Sequence, residues 1–173
     1  MKKLLICALV AASSALAARP AAAKAVAVYA SGMGGLQNTG TSEPGLGLML
    51  GARVLIFDGY LDYTAFGQGE SVSRGILGLR GGFGPRDFRL VLRGGLGPIH
   101  EENGALSGPP GAPSRTGGVA RFGAALEGAV SPVLFLGFAI DGERYRFPAT
   151  LPGVPTTGSD VFASLRLTFE LGV

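Results

Sequence analysis

The last fifteen residues of the chain, 159–173, alternate with a period of two. Val161, Ala163, Leu165, Leu167, Phe169, Leu171 and Val173 fall on one side, and Ser164, Arg166, Thr168 and Glu170 on the other. Only a β-strand sends successive side chains to opposite faces, so this segment is a strand with one apolar and one charged face. The same split recurs along nearly every other strand-forming segment. In a water-soluble barrel the apolar face would point inward. Here the charges and interior-sized residues recur together opposite the leucines, an inversion that turns the apolar face toward lipid.

Ahead of the strands, Lys2 and Lys3 precede an apolar run over 4–10, and residues 11–17 end in Ala15-Leu16-Ala17. A basic start, a short apolar stretch and small residues before the cut describe a cleaved secretory signal. The run is shorter than the ~20 residues of a membrane-spanning helix. The expected organisation is therefore a signal peptide over 1–17, with Ala23 as the alternative end, and one barrel domain over 24–173. Cys7, the sole cysteine, lies inside the signal, which leaves the mature chain without a disulfide or a thiolate metal site.

Thirty glycines, eleven prolines and no tryptophan, with a mean hydropathy of +0.37, suit a single domain of short strands and turns. The formal charge of +3 comes largely from the signal: without Lys2 and Lys3, 13 basic residues stand against 12 acids. A near-neutral chain gives no footprint for a nucleic-acid partner. Every cation after Lys24 is an arginine, the residue suited to bidentate pairing with carboxylates in a confined interior.

Eight strands are expected, over 24–34, 45–57, 60–66, 72–83, 88–97, 118–130, 133–145 and 159–173. Tight turns join some of them, at Asp58-Gly59, at 84–87 and at Ser131-Pro132. Longer links cover 35–44, 98–117 and 147–158, with a brief one at 67–71. Short and longer links alternate. In an outer-membrane barrel that asymmetry puts the turns and both termini in the periplasm and the longer loops outside.

The alternation also assigns the interior. Arg53, Arg74, Arg80, Arg89, Arg93, Arg121 and Arg166 share the non-lipid face with Asp62, Glu127, Asp141, Glu143 and Glu170. An arginine facing the bilayer midplane would cost roughly 2 to 4 kcal/mol, so these twelve charges belong inside. A salt-bridged polar plug is preferred over a conductive pathway, because a barrel of eight strands is only wide enough for side chains to fill. Phe83, Phe88 and Phe169 are candidates for a periplasmic aromatic girdle.

In these features the chain resembles the small eight-stranded outer-membrane barrels of the OmpA transmembrane domain, OmpX and Ail type. The resemblance covers the whole mature chain and implies an all-β, antiparallel, up-and-down transmembrane barrel that is monomeric. In that family the terminal strand is read by the barrel-assembly machinery, and here Leu167, Phe169, Leu171 and Val173 hold the alternating positions. Val173 is aliphatic where the family ends in an aromatic residue. The implied partners are outer-membrane lipid and, through loops 98–117 and 147–158, a surface ligand.

A catalytic alternative resembling the lipid A deacylases rests on the single histidine, His100, in Pro98-Ile99-His100-Glu101-Glu102. It sits just past the fifth expected strand, and Ser107 and Ser114 lie in a Gly/Pro-rich loop instead of on a rigid support. A solvated loop histidine, no enzyme, no metal and no cofactor are the expectation. The leading role is structural or interactional at the cell surface. The alternatives are a narrow channel, a lipid A-modifying enzyme and a soluble periplasmic ligand-binding barrel.

Overall fold

A single sheet of eight two-faced strands encloses its polar face, and loses its open edges, by closing on itself. A computed structural model describes residues 26–38, 42–85, 87–106, 111–148 and 155–172. Its eight strands are β1 (Val26–Asn38), β2 (Ser42–Val54), β3 (Phe57–Phe66), β4 (Ser71–Phe83), β5 (Phe88–Asn103), β6 (Ala112–Ala129), β7 (Leu134–Arg146) and β8 (Thr157–Gly172). They pair in sequence order, every neighbour antiparallel, and β1 returns to β8 to close the barrel. The closing ladder runs from Ala27 opposite Gly172 to Asn38 opposite Val161.

The eight expected strands are present, with boundaries shifted where local signals misled. The turn between β2 and β3 is at Leu55 and Ile56, with Leu55 in the left-handed region at φ 56°. Asp58 and Gly59, expected as that turn, are inside β3 opposite Arg53 and Ala52. Their alternation overrides their turn propensity: Asp58 points into the barrel and accepts a hydrogen bond from Tyr29 Oη, at 2.9 and 3.0 Å from its two oxygens.

The link over 98–117 is the larger correction. β5 continues through His100 to Asn103 and β6 starts at Ala112, so only 104–111 connects them. Pro98 is tolerated because it faces outward and the β4–β5 ladder skips a step there, between Arg74 opposite Ile99 and Leu77 opposite Leu96. A proline has no N–H to give to that rung. The link over 35–44 shrinks likewise to 39–41, because β1 keeps alternating through Leu36 (outward) and Gln37 (inward).

Residues 1–23, where the signal peptide is expected, together with Lys24, Ser107, Val173 at the end of the expected assembly signal and the stretch 149–154 of the fourth link, lie outside the described residues. The turns 55–56, 84–87 and 130–133 gather at the barrel end that carries both ends of the sheet's chain path, and the other four links gather at the far end.

Burial confirms the inversion. Leu77 is 77% exposed, Leu46 74% and Leu165 64%, whereas Arg121 is 2% exposed and Arg166 3%. Inward glycines make room for the large polar side chains. A Cβ on Gly51 would fall on the Tyr29 ring, and one on Gly123 would collide with the Asp141 carboxylate.

Candidate functional site

The lumen is the most built feature of the molecule. All twelve charged residues assigned to it from sequence point inward and join ion pairs. Toward the turn end, Glu170 receives Arg53 at 3.3 Å, Arg89 at 2.8 Å and Arg80 at 3.7 Å, while Glu127 receives Arg89 at 2.7 Å and Arg80 at 4.0 Å. Higher up, Arg74 grips Glu143 through two 2.7 Å hydrogen bonds and Asp62 through one of 3.0 Å. Arg121 bridges Asp62 and Asp141, and Asp141 also accepts from Arg93 and Arg166.

Aromatic side chains fill the space between these pairs. The guanidinium of Arg80 lies 4.4 Å over the Tyr29 ring, that of Arg89 3.9 Å over Phe135 and that of Arg93 5.1 Å over Tyr60. Such stacking suits a planar, weakly hydrated cation removed from water.

Four lumen charges were missed from sequence: Asp58, Glu101, Arg115 and Asp160. Asp58 was assigned to a turn, and Glu101 and Arg115 to a loop. Their inward parity was the signal that would have found them, since each continues the alternation of its strand. With them the described lumen holds eight arginines and eight carboxylates, a neutral interior instead of an excess of positive charge. Glu101, fully buried, pairs with Arg115, whose Nη1 donates to the Pro155 carbonyl at 2.9 Å.

Glu101 also accepts the Leu106 N–H at 3.1 Å, and Tyr145 Oη donates to the Leu106 carbonyl at 3.0 Å. These bonds fold the first turn of the 104–111 connection inward, so Ala105 and Leu106 are buried against Val72, Ile99 and Phe147. The far end is thus capped by an apolar cluster above the ion pairs. Inside, a void of about 10 Å³ lies among Met49, Arg80, Arg93, Glu127 and Arg166, room for a single water at most.

The outward face carries the remaining candidates. His100 is on β5, not in a loop, and its Nδ1 lies 2.8 Å from Thr116 Oγ1 on β6. Its Nε2 is 3.9 Å from Glu102 Oε1, and the two side chains are 41% and 50% exposed. Ser114 is on β6 and exposed. Beside His100 an apolar groove of about 430 Å³ runs between Leu48, Leu61 and Tyr63 on one side and Pro98 on the other. Of the girdle candidates, Phe88 and Phe169 are exposed and Phe83 is half-buried. The terminal positions Leu167, Phe169 and Leu171 all face outward. Among the described residues no cluster of His, Cys, Asp and Glu could hold a metal ion.

No protein-family model matches the chain, and no curated protein matches it by sequence. Solved structures do. Neisserial surface protein A superposes with a TM-score of 0.60 at 13% identity, over 84% of this chain and 96% of that one. The chain has the fold of the small eight-stranded outer-membrane β-barrels. The N-terminal β-barrel domain of Pseudomonas aeruginosa OprF matches with a TM-score of 0.53 at 14% identity, over 84% of this chain and 97% of that one. The outer membrane enzyme PagL matches at 0.50 and 13%, over 82% and 98%. Outer-membrane barrels of this size thus include both an enzyme and a surface protein, and the shared fold leaves the role to be argued from the site.

Proposed function

We propose that the chain is an integral, monomeric barrel of the bacterial outer membrane, with its turns and both termini in the periplasm. It reinforces the membrane and presents the far-end connections, 104–111 and the link between β7 and β8, to surface ligands. The observation that carries this reading is the inside-out distribution of side chains. A ring of exposed leucines and phenylalanines surrounds a lumen of sixteen paired or buried charges, the arrangement that a lipid surround requires.

Charge neutrality and the closed packing around Arg93 and Arg166 support a plug instead of a channel. The barrel works without catalysis: the His100 ring is held by a hydrogen bond to Thr116 on the outward face, while Glu102 accepts from Ser71. Leu167, Phe169 and Leu171 are the outward positions available to the assembly machinery.

Gel mobility of the outer-membrane fraction, with and without boiling in detergent, tests the reading. A heat-dependent shift is expected. Recovery in the soluble periplasm without a shift would replace it with a soluble ligand-binding barrel.

A further inference from the structure

All but two of the described strand arginines turn into the lumen, and each inward one has a carboxylate partner. Arg144 and Arg146 of β7 face outward and are exposed. Among the described residues neither forms an ion pair. They follow Leu136, Phe138 and Ile140 on the same outward face, with Gly142 between. Arg144 lies four residues past Ile140, which at ~3.3 Å per residue and a tilt of ~45° raises it ~9 Å along the barrel axis. That height is the headgroup layer above an acyl belt that includes Ile140.

Among the described residues the surroundings are open. Register sets Arg146 beside Gly118 and Thr157, and Arg144 beside Ala120 and Ser159. A Cβ on Gly118 or on Gly142 would meet nothing within 4 Å, so bare backbone lies next to the two guanidinium groups. Arg146 and Gly118 also line a concavity of about 350 Å³ with Phe147, Pro148 and Thr156.

We propose that Arg144 and Arg146 bind the phosphorylated headgroup of an outer-leaflet lipid, whose acyl chain descends over Gly142 against Phe122 and Ile140. Two forked cations present the paired N–H donors that phosphate oxygens accept. The hydroxyls of Thr157 and Ser159 on β8 offer further donors at the same level. The occupant is a lipid because Arg144 and Arg146 share the outward face of β7 with the exposed Phe138 and Ile140, so cations and an apolar surface lie in line along one strand. The inference rests on the outer-membrane reading and on the far end lying at the cell surface.

Native mass spectrometry of the refolded mature chain in detergent tests it, with bis-phosphorylated lipid A and the same lipid dephosphorylated as probes. Wild type is expected to retain the phosphorylated lipid about tenfold better, the scale of one charge-assisted contact. The Arg144→Gln/Arg146→Gln variant should erase that preference and Arg144→Lys/Arg146→Lys restore part of it. Both positions are exposed, so folding should survive, and the heat-dependent gel shift checks that. Equal retention of the two lipids by wild type, or a preference unchanged in the glutamine variant, overturns the lipid site while leaving the barrel reading intact. Displacement of the lipid by inorganic phosphate at matching concentration would overturn it in favour of a soluble-anion site. A chain that stays soluble without detergent and shows no gel shift overturns the membrane reading itself, and the lipid site with it.

Discussion

Arg74 of β4 and Glu143 of β7 face each other across the barrel and lock through two 2.7 Å hydrogen bonds, Nε to Oε2 and Nη2 to Oε1. The strands they belong to are not neighbours in the sheet. The pair therefore acts as a strut across the lumen, and Asp62, which also takes Arg74, extends it to β3. A fork between two fully buried partners tolerates little error in either one.

Removing both ends of the strut should cost less than the two single removals added together. Glu143→Ala leaves the Arg74 guanidinium buried with Asp62 as its remaining partner, a loss on the order of 3 kcal/mol. Replacing both by apolar residues of similar size should cost less than the sum of the two single changes. Denaturant unfolding of the barrel in lipid vesicles, as a double-mutant cycle, measures the coupling, and strict additivity would contradict the strut.

The outward belt predicts a second, opposite sensitivity. Leu77→Arg, at a position 77% exposed to the surroundings, should destabilise the folded barrel by roughly 2 to 4 kcal/mol in a bilayer. The same variant should be much better tolerated in a detergent micelle. Equal stability of variant and wild type in vesicles would mean that Leu77 does not meet lipid.

Planar-bilayer recordings should show no stable conductance steps from wild type, because paired side chains pack the lumen around Met49 and Arg93 and leave a void there of only about 10 Å³. Arg93 donates to both sulfur and carboxylate there, at 3.0 Å to Met49 Sδ and 2.8 Å to Asp141 Oδ1. Reproducible steps that disappear on changing Arg93 or Arg166 would replace the plug with a pore.

His100→Ala should leave the acyl composition of lipid A in expressing cells unchanged and alter stability by no more than about 0.5 kcal/mol, as for other exposed positions. Its partners, Thr116 and Glu102, lie at the surface and rehydrate when it is removed. A change in lipid A acylation dependent on both His100 and Thr116 would make the outward face catalytic.

At the far end, burial and the neighbouring Glu43 carboxylate lift the Glu70 carboxyl above its ordinary value. The folded loop therefore holds the proton more tightly than the unfolded chain does. That contribution to stability is fully present below the ordinary glutamate range and is lost as the pH rises through the lifted value. Comparing Glu70→Gln with wild type across that range should show the difference in unfolding midpoint widening with pH in favour of the variant. A difference that stays flat would mean that the two carboxylates do not communicate.

The period of two carried most of what was legible in advance. Strand β8 read directly from Val161 to Leu171, and the twelve lumen charges followed from parity alone, because a slip of one residue would have thrown an arginine into lipid. The failures share one cause. At Asp58-Gly59 and over 98–117 the local chemistry of turns was given precedence over continuing alternation, whereas cross-strand partners such as Tyr29 for Asp58 and Arg115 for Glu101 hold those residues extended. The inward tuck of Leu106 depends on contacts from β5 and β7 that no local pattern encodes. Arg144 and Arg146 were visible as residues, yet their meaning needed the observation that every other described strand arginine turns the other way.

The ladder between β1 and β8 has a consequence for how the molecule comes into being. Its first and last strands form one seam, so no shorter piece of the chain has all its edges paired. A nascent chain emerging β1 first must hold that strand's outer hydrogen-bonding edge unpaired until β8 arrives. Closure is then a single late event linking the most distant parts of the sequence, the kind of contact that makes folding slow. Deleting β8 would consequently leave two raw margins, on β1 and β7, and a chain prone to pair with its own copies before it could reach a bilayer.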